Sequence, residues 1–194
     1  IISSSSDIWA KSDKKPLEVH LDEVLDYAAF LVQQKSEALE IVAKNADVLV
    51  ETLKLRILLA AYFHDFGKGT VEFQSKIRGS RTNFSHALAS VPFIYAVVKN
   101  EPIGQIEGQQ FFPEVIAVAT HHSQLHNALF NDFADKHPKY YTEFLISITE
   151  RLNEKLHSYG IVLKEQLNIE KVLDEDPFDL FLDVTNALSQ FERH

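Results

Sequence analysis

Apolar residues recur at helical spacing along most of this chain, and that period constrains the fold more than any other feature. After Pro16, the positions Leu21, Val24, Leu25, Ala28, Leu31 and Val32 fall on one helical face. Leu55, Leu58, Leu59, Tyr62 and Phe63 mark a second helix, stopped at Gly67 and turned further at Gly69. "SHALASVPFIYAVVKN", residues 85–100, gives a third, with a kink expected at Pro92. Residues 100–112 read as a loop, and Pro113 then opens a helix whose apolar face is Val115, Ile116, Val118 and Ala119. Residues 141–159 and about 178–192 complete the helical set. No alternating pattern longer than a few residues argues for a strand, and no repeat or linker divides the chain. The expectation is an all-α, single-domain helical bundle over residues 17–194, preceded by a flexible, serine-rich arm over residues 1–16, with packing of Ile1, Ile2, Ile8 and Trp9 on the domain as the alternative.

With 194 residues, 45% of them hydrophobic, the chain can build one substantial core. The absence of cysteine excludes disulfides and thiolate metal sites. No stretch approaches the ~18 consecutive apolar residues of a membrane span. The start lacks a basic head followed by an apolar core, so a cytoplasmic location is expected. Methionine is absent even at position 1, as expected of a piece of a longer protein. The net charge of -9, with no basic stripe in the sequence, argues against a surface that grips nucleic acid through phosphates alone. Bound divalent cations would reverse the local potential in a site rich in carboxylate and histidine.

Such a site is suggested by "AAYFHDFGKGTVEFQ", residues 60–74. An apolar helix ends there on His64, Asp65 and Lys68, groups that are costly to bury unpaired. The chain has nine histidines. His20 lies near the start of the first helix, His64 ends the second, His86 starts the third, and His121-His122 ends the fourth. Imidazole and carboxylate together suit Mn, Fe, Co, Ni or Zn. Adjacent helical residues point about 100° apart, and a helix end lets Asp65 bend into the turn beside His64. Its two oxygens can bridge two metals, with His121 and His122 on one and His20 and His64 on the other.

Each residue also has an ordinary reading taken singly. A histidine at a helix terminus is often a cap or simply solvated. Lys68 either caps carbonyls at a helix C-terminus or pairs with phosphate charge. Phe66 and Phe73 are either core residues or platforms for unpaired bases. His126, His137, His157 and His194 lie in polar surroundings and are expected at the surface. His126 is the exception to watch, since it follows His122 by four residues and can share its face.

The stretch "FHDFGKGTVEFQ" resembles the H-D-x-G-K signature of the HD superfamily. Its continuation to Phe73-Gln74, His86 in "SHALAS" and the pair His121-His122 are similar to the HD nuclease domain of the type I CRISPR-associated nuclease-helicase. The likeness covers about residues 17–125. It implies a helical domain holding one or two divalent transition metals (Mn, Ni, Co, Fe or Zn, with Mg possible in activity). By that resemblance His20, His64, Asp65 and a late Asp hold one metal, and Asp65, His86, His121 and His122 hold the second. Asp183 in "FDLFLDVTNAL" is taken as the late ligand, and Glu192 in "NALSQFER" is the other candidate. Asp65 and Lys68 are the catalytic candidates.

The resemblance further implies metal-dependent cleavage of single-stranded nucleic acid, mainly DNA, in CRISPR interference. The expected partners are a separate or fused helicase and a CRISPR surveillance complex; this chain has no P-loop of its own. A different HD phosphohydrolase, acting on nucleotides or cyclic dinucleotides, is the first alternative. A mononuclear nucleotide enzyme gives no reason for His86 and His121-His122. Cyclic-dinucleotide enzymes usually carry Glu after the His pair and a G-Y-P segment, whereas Ser123-Gln124 follows here and no G-Y-P occurs. The second alternative is an inactive HD scaffold that docks to a helicase or surveillance complex.

Overall fold

A computed structural model describes residues 7–82, 84–100, 104–106, 109–122, 138–163 and 167–174. The fold is all-α. Its helices are α1 (Leu17–Gln34), α2 (Ser36–Asn45), α3 (Val50–Phe63), α4 (Val71–Ile77), α5 (His86–Val98), α6 (Pro113–Thr120), α7 (Thr142–Ser158) and α8 (Ile169–Asp174). A 3-10 turn, Phe66–Lys68, lies between α3 and α4. No helix among the described residues is long and apolar enough to cross a membrane.

Four expected helices stand, as α1, α3, α5 and α6, and the amphipathic segment at 141–159 is α7. The helix expected at about 178–192 lies outside the described residues. α2 was not legible because it buries little: only Ala43 is buried, while Ile41 and Val42 face solvent. α4 spans seven residues, too few for a period to register, and Thr70 caps it by accepting the Phe73 N–H at 3.3 Å. The loop expected at 100–112 holds an antiparallel hairpin of β1 (Gly104–Ile106) and β2 (Gln109–Phe111), with Gln105 opposite Gln110. Three residues per strand are too short to show alternation.

α3 is the axis of the core. Leu58, Leu59, Tyr62 and Phe63 are all buried, and α3 packs against α1, α5 and α6. The Tyr62 hydroxyl donates to the Ile148 carbonyl of α7 at 2.5 Å. Arg56 Nη1 meets Glu114 Oε1 at 2.8 Å, joining α3 to α6 inside the core. α5 is buried from Ala87 through Ile94. Phe66 is fully buried among Tyr62, Phe63 and Phe93, and Phe73 is 6% exposed. Both are core residues, so base stacking on either is ruled out.

The expected loose arm needs correction over residues 7–16. Ile8 and Ala10 are buried, and Trp9 bridges to Pro16. Gln74 holds the segment from the other side, accepting the Trp9 N–H at 3.0 Å and donating to the Trp9 carbonyl at 2.8 Å. Burial of Ile8 and these backbone bonds outweigh the disorder that the serine-rich composition suggests.

Candidate metal centre

α3 runs to Phe63 and its last turn closes when the His64 N–H donates to the Ala60 carbonyl at 3.0 Å. Asp65 then leaves helical geometry, with φ -108° and ψ 9°, and its side chain swings beside His64 instead of 100° away. The 3-10 turn that follows is pressed against the start of α5. Gly67 N–H donates to Ser90 Oγ at 2.7 Å, and the single Ser90 hydroxyl proton has two carbonyl acceptors in reach, His86 (2.9 Å) and His64 (3.1 Å). A β-carbon on Gly67 would sit 2.1 Å from the His86 carbonyl oxygen. The missing side chain is therefore what lets α5 deliver His86 to Asp65.

Asp65 is the centre of the arrangement. Its Oδ2 lies 2.8 Å from His20 Nε2, 3.1 Å from His64 Nε2 and 2.7 Å from Lys68 Nζ. Its Oδ1 lies 3.0 Å from His86 Nε2 and 3.5 Å from His121 Nε2. Two groups of ligand atoms result, each within 4.8 Å: His20, His64 and Asp65, and Asp65, His86, His121 and His122. His122 is the most exposed of these, with its ring 4.1 Å from that of His121 and 4.8 Å from that of His86. Four helix ends thus converge on one carboxylate.

The ring orientations favour a cation. His64 Nδ1 is 2.7 Å from the Ala61 carbonyl, and His121 Nδ1 is 2.7 Å from the Val118 carbonyl. A carbonyl only accepts, so each Nδ1 carries a proton, and in the neutral imidazole the bare nitrogen is the Nε2 that faces inward. Such a lone pair repels a carboxylate oxygen unless a proton or a cation lies between. Asp65 Oδ1, His86 Nε2 and His121 Nε2 are buried and lack any hydrogen-bond partner, so the short Oδ1 contacts are approaches and not bonds. Each such orphan costs about 1–3 kcal/mol. A divalent ion of the type that nitrogen and oxygen ligands suit would satisfy all three, and the residues present fit it.

Electrostatics agree with this geometry. Burial pushes Asp65 up, but the imidazoles of His121, His20, His64 and His86 turned toward it, which stabilise its charge when they carry a proton, override burial and hold the carboxyl well below the usual range. Burial pushes His86 down to about 4 despite the pull of Asp65, so it is a neutral imidazole at ordinary pH. His122 is also lowered, by burial first and then by His121. Neutral imidazole and ionised carboxylate are the ligating forms.

Lys68 is 7% exposed and spends its ammonium on Asp65, not on the carbonyls that end α3. His157 is exposed on α7 as expected. Asp183, Glu192, His126, His137 and His194 lie outside the described residues. Sequence reasoning gave no role to Ser90 or Gln74. Gln74 Nε2 donates to the Lys68 carbonyl at 2.9 Å and to Trp9, bracing the turn; its place beside Phe73 in the motif was the available signal. Ser90 had none.

A helical bundle whose helix ends gather imidazoles around a His-Asp pair defines an HD-class domain. The family model described as Cas3, HD domain matches residues 9–168, most of the chain, and the chain belongs to that family. That family implies the metal-dependent nuclease kind. Comparison with curated proteins gave no match, nor did comparison with solved structures.

Proposed function

We propose that this domain hydrolyses phosphodiester bonds of single-stranded DNA in CRISPR interference, working beside a fused or separate helicase and a surveillance complex in the cytoplasm. One observation carries the reading: a single buried carboxylate, Asp65, is shared by two clusters of inward-facing imidazole nitrogens. His20, His64 and Asp65 hold one divalent metal, joined by Asp183 in the part of the domain that runs to residue 194. Asp65, His86, His121 and His122 hold the other. Divalent metals bound there supply Lewis acidity toward phosphoryl oxygens and lower the pKa of water toward neutrality.

The remaining tasks fall to the chain itself. The Ala61 and Val118 carbonyls fix the tautomers of His64 and His121, so that Nε2 is the free donor atom. Asp65 stays ionised. Lys68, whose Nζ sits 2.7 Å from Asp65 Oδ2, is positioned to donate to a phosphoryl oxygen as negative charge builds there. The longer ligand series favours this over a mononuclear nucleotide hydrolase, and the family match favours it over a cyclic-dinucleotide enzyme.

The test is degradation of an end-labelled single-stranded oligonucleotide with Mn, Ni, Co, Fe, Zn or Mg added in turn. Cleavage should need the metal, exceed that of blunt duplex several-fold, and vanish in Asp65→Ala together with metal binding at both clusters. Wild-type rates in Asp65→Ala would refute the assignment, and no cleavage with any metal would leave the inactive scaffold as the reading.

A further inference from the structure

The chain is acidic, yet the fold gathers cations at one place that no linear stripe reveals. Residues 7–16 and 71–82 together carry six cations (Lys11, Lys14, Lys15, Lys76, Arg78 and Arg81) against three anions (Asp7, Asp13 and Glu72), a net of +3 in a chain of -9. These segments are about sixty residues apart in sequence and lie together in space, joined by the bonds of Gln74 to both Trp9 and Lys68. Arg78 is fixed there by hydrogen bonds to the Gln74 carbonyl (3.0 Å) and Oε1 (2.9 Å) and to the Asp7 carbonyl.

Two cations frame the indole of Trp9. Arg78 Cζ lies 4.3 Å from the ring centroid and Lys14 Nζ 5.6 Å. Lys11, Lys14, Lys76, Arg78 and Arg81 are exposed. The patch also adjoins the metal centre. Lys15 pairs with Glu23, whose carboxylate senses both Lys11 and the candidate ligand His20. At its other edge, Gln74 links Trp9 to Lys68, which bonds Asp65.

We propose that this patch is a binding platform for the single-stranded substrate, in which Lys11, Lys14, Arg78 and Arg81 meet phosphates and Trp9 with Arg78 offers a stacking surface for a base. Cations beside an aromatic ring form the combination that single strands use, since phosphates need charge and every unpaired base has a face to stack. The platform guides a strand of several nucleotides to Asp65, which a free nucleotide would not need. This rests on the nuclease reading for the identity of the ligand.

Trp9 is the only tryptophan in the chain, so its emission reports on the patch directly. The experiment titrates a dodecameric oligothymidylate into the full chain in chelator, where no cleavage occurs, following Trp9 fluorescence at several salt concentrations. A saturable change in emission is expected. The triple variant Lys11→Gln, Lys14→Gln, Arg81→Gln, checked for folding by circular dichroism, should bind on the order of tenfold more weakly, with a salt slope shallower by roughly 0.7 for each lost phosphate contact. Arg78 is left intact because it braces the fold. Unchanged affinity and salt slope in the folded triple variant would overturn the platform, as would saturating binding that leaves Trp9 emission unmoved. Metal-dependent cleavage is scored separately: cleavage without patch-dependent binding defeats only the platform, and patch-dependent binding without cleavage under any metal defeats only the nuclease reading.

Discussion

Asp65 contacts or approaches four imidazoles and one ammonium, and on its Oδ2 side the two imidazoles and the ammonium do different work. His20 and His64 belong to a ligand group, whereas Lys68 cannot ligate while protonated. Lys68→Ala should therefore keep its metal, measured by elemental analysis, while cleavage slows ~10²-fold or more, as loss of a single electrostatic donor does elsewhere. A variant that lost its metal would make Lys68 a structural neutraliser of Asp65. Acid exposes a second property of these residues. An unfolded His86 titrates near 6.5 and the folded one near 4, so between those values the unfolded chain takes up a proton that the folded chain refuses. Asp65 acts in the same direction, because its low folded pKa gives stability above the unfolded value of 3.8 that is lost on acidification. The melting temperature of the metal-free protein should fall as pH drops from 6.5 toward 4; a flat or rising profile would contradict a buried neutral His86.

The 3-10 turn and α5 meet across Gly67, and that contact decides whether the His86 side of the site forms. A β-carbon there would meet the His86 carbonyl at 2.1 Å and Ala89 Cβ at 2.7 Å, both held by the buried α5 helix. Gly67→Ala should cost about 1–3 kcal/mol of stability, the usual range for overpacking, and weaken metal binding in the cluster that contains His86. At Gly69 the nearest obstacle is Leu145 Cδ2 at 2.7 Å, the far end of a side chain that can rotate. Gly69→Ala should be the milder change. Denaturant unfolding of the two variants compares them directly, and equal losses would remove the argument for close approach. Ser90 belongs to the same contact, since its hydroxyl links the turn to the ends of α3 and α5.

For the molecule as a whole, the candidate metal centre is a seam between α1, α3, α5 and α6. α1, α3, α5 and α6 each bring a helix end to it, and it collects three buried polar atoms without partners. A ligand that binds only the folded state stabilises it in proportion to its excess over Kd. Saturation with a preferred transition metal at about 100 times Kd should stabilise the fold by about 2.7 kcal/mol and raise the melting temperature, with chelator reversing the gain. Absence of any shift with Mn, Ni, Co, Fe and Zn would mean that the clusters do not bind metal.

Much of this was legible in the chain. Helical periodicity gave α1, α3, α5, α6 and α7, because each buries enough apolar surface to impose a period. The motif residues His20, His64, Asp65, His86, His121 and His122 could be named because helix-terminal histidines beside an H-D-x-G-K stretch are rarely assembled by chance. α2, α4 and the hairpin were hidden, since they are too short or too exposed to leave a pattern. Only the tertiary structure decided that Phe66 and Phe73 are core and that residues 7–16 pack beside α4. The reason is physical: periodicity records which face of a segment is buried, but not which segments meet. Charges about sixty residues apart become one basic patch only when Gln74 ties Trp9 to the turn that carries Lys68.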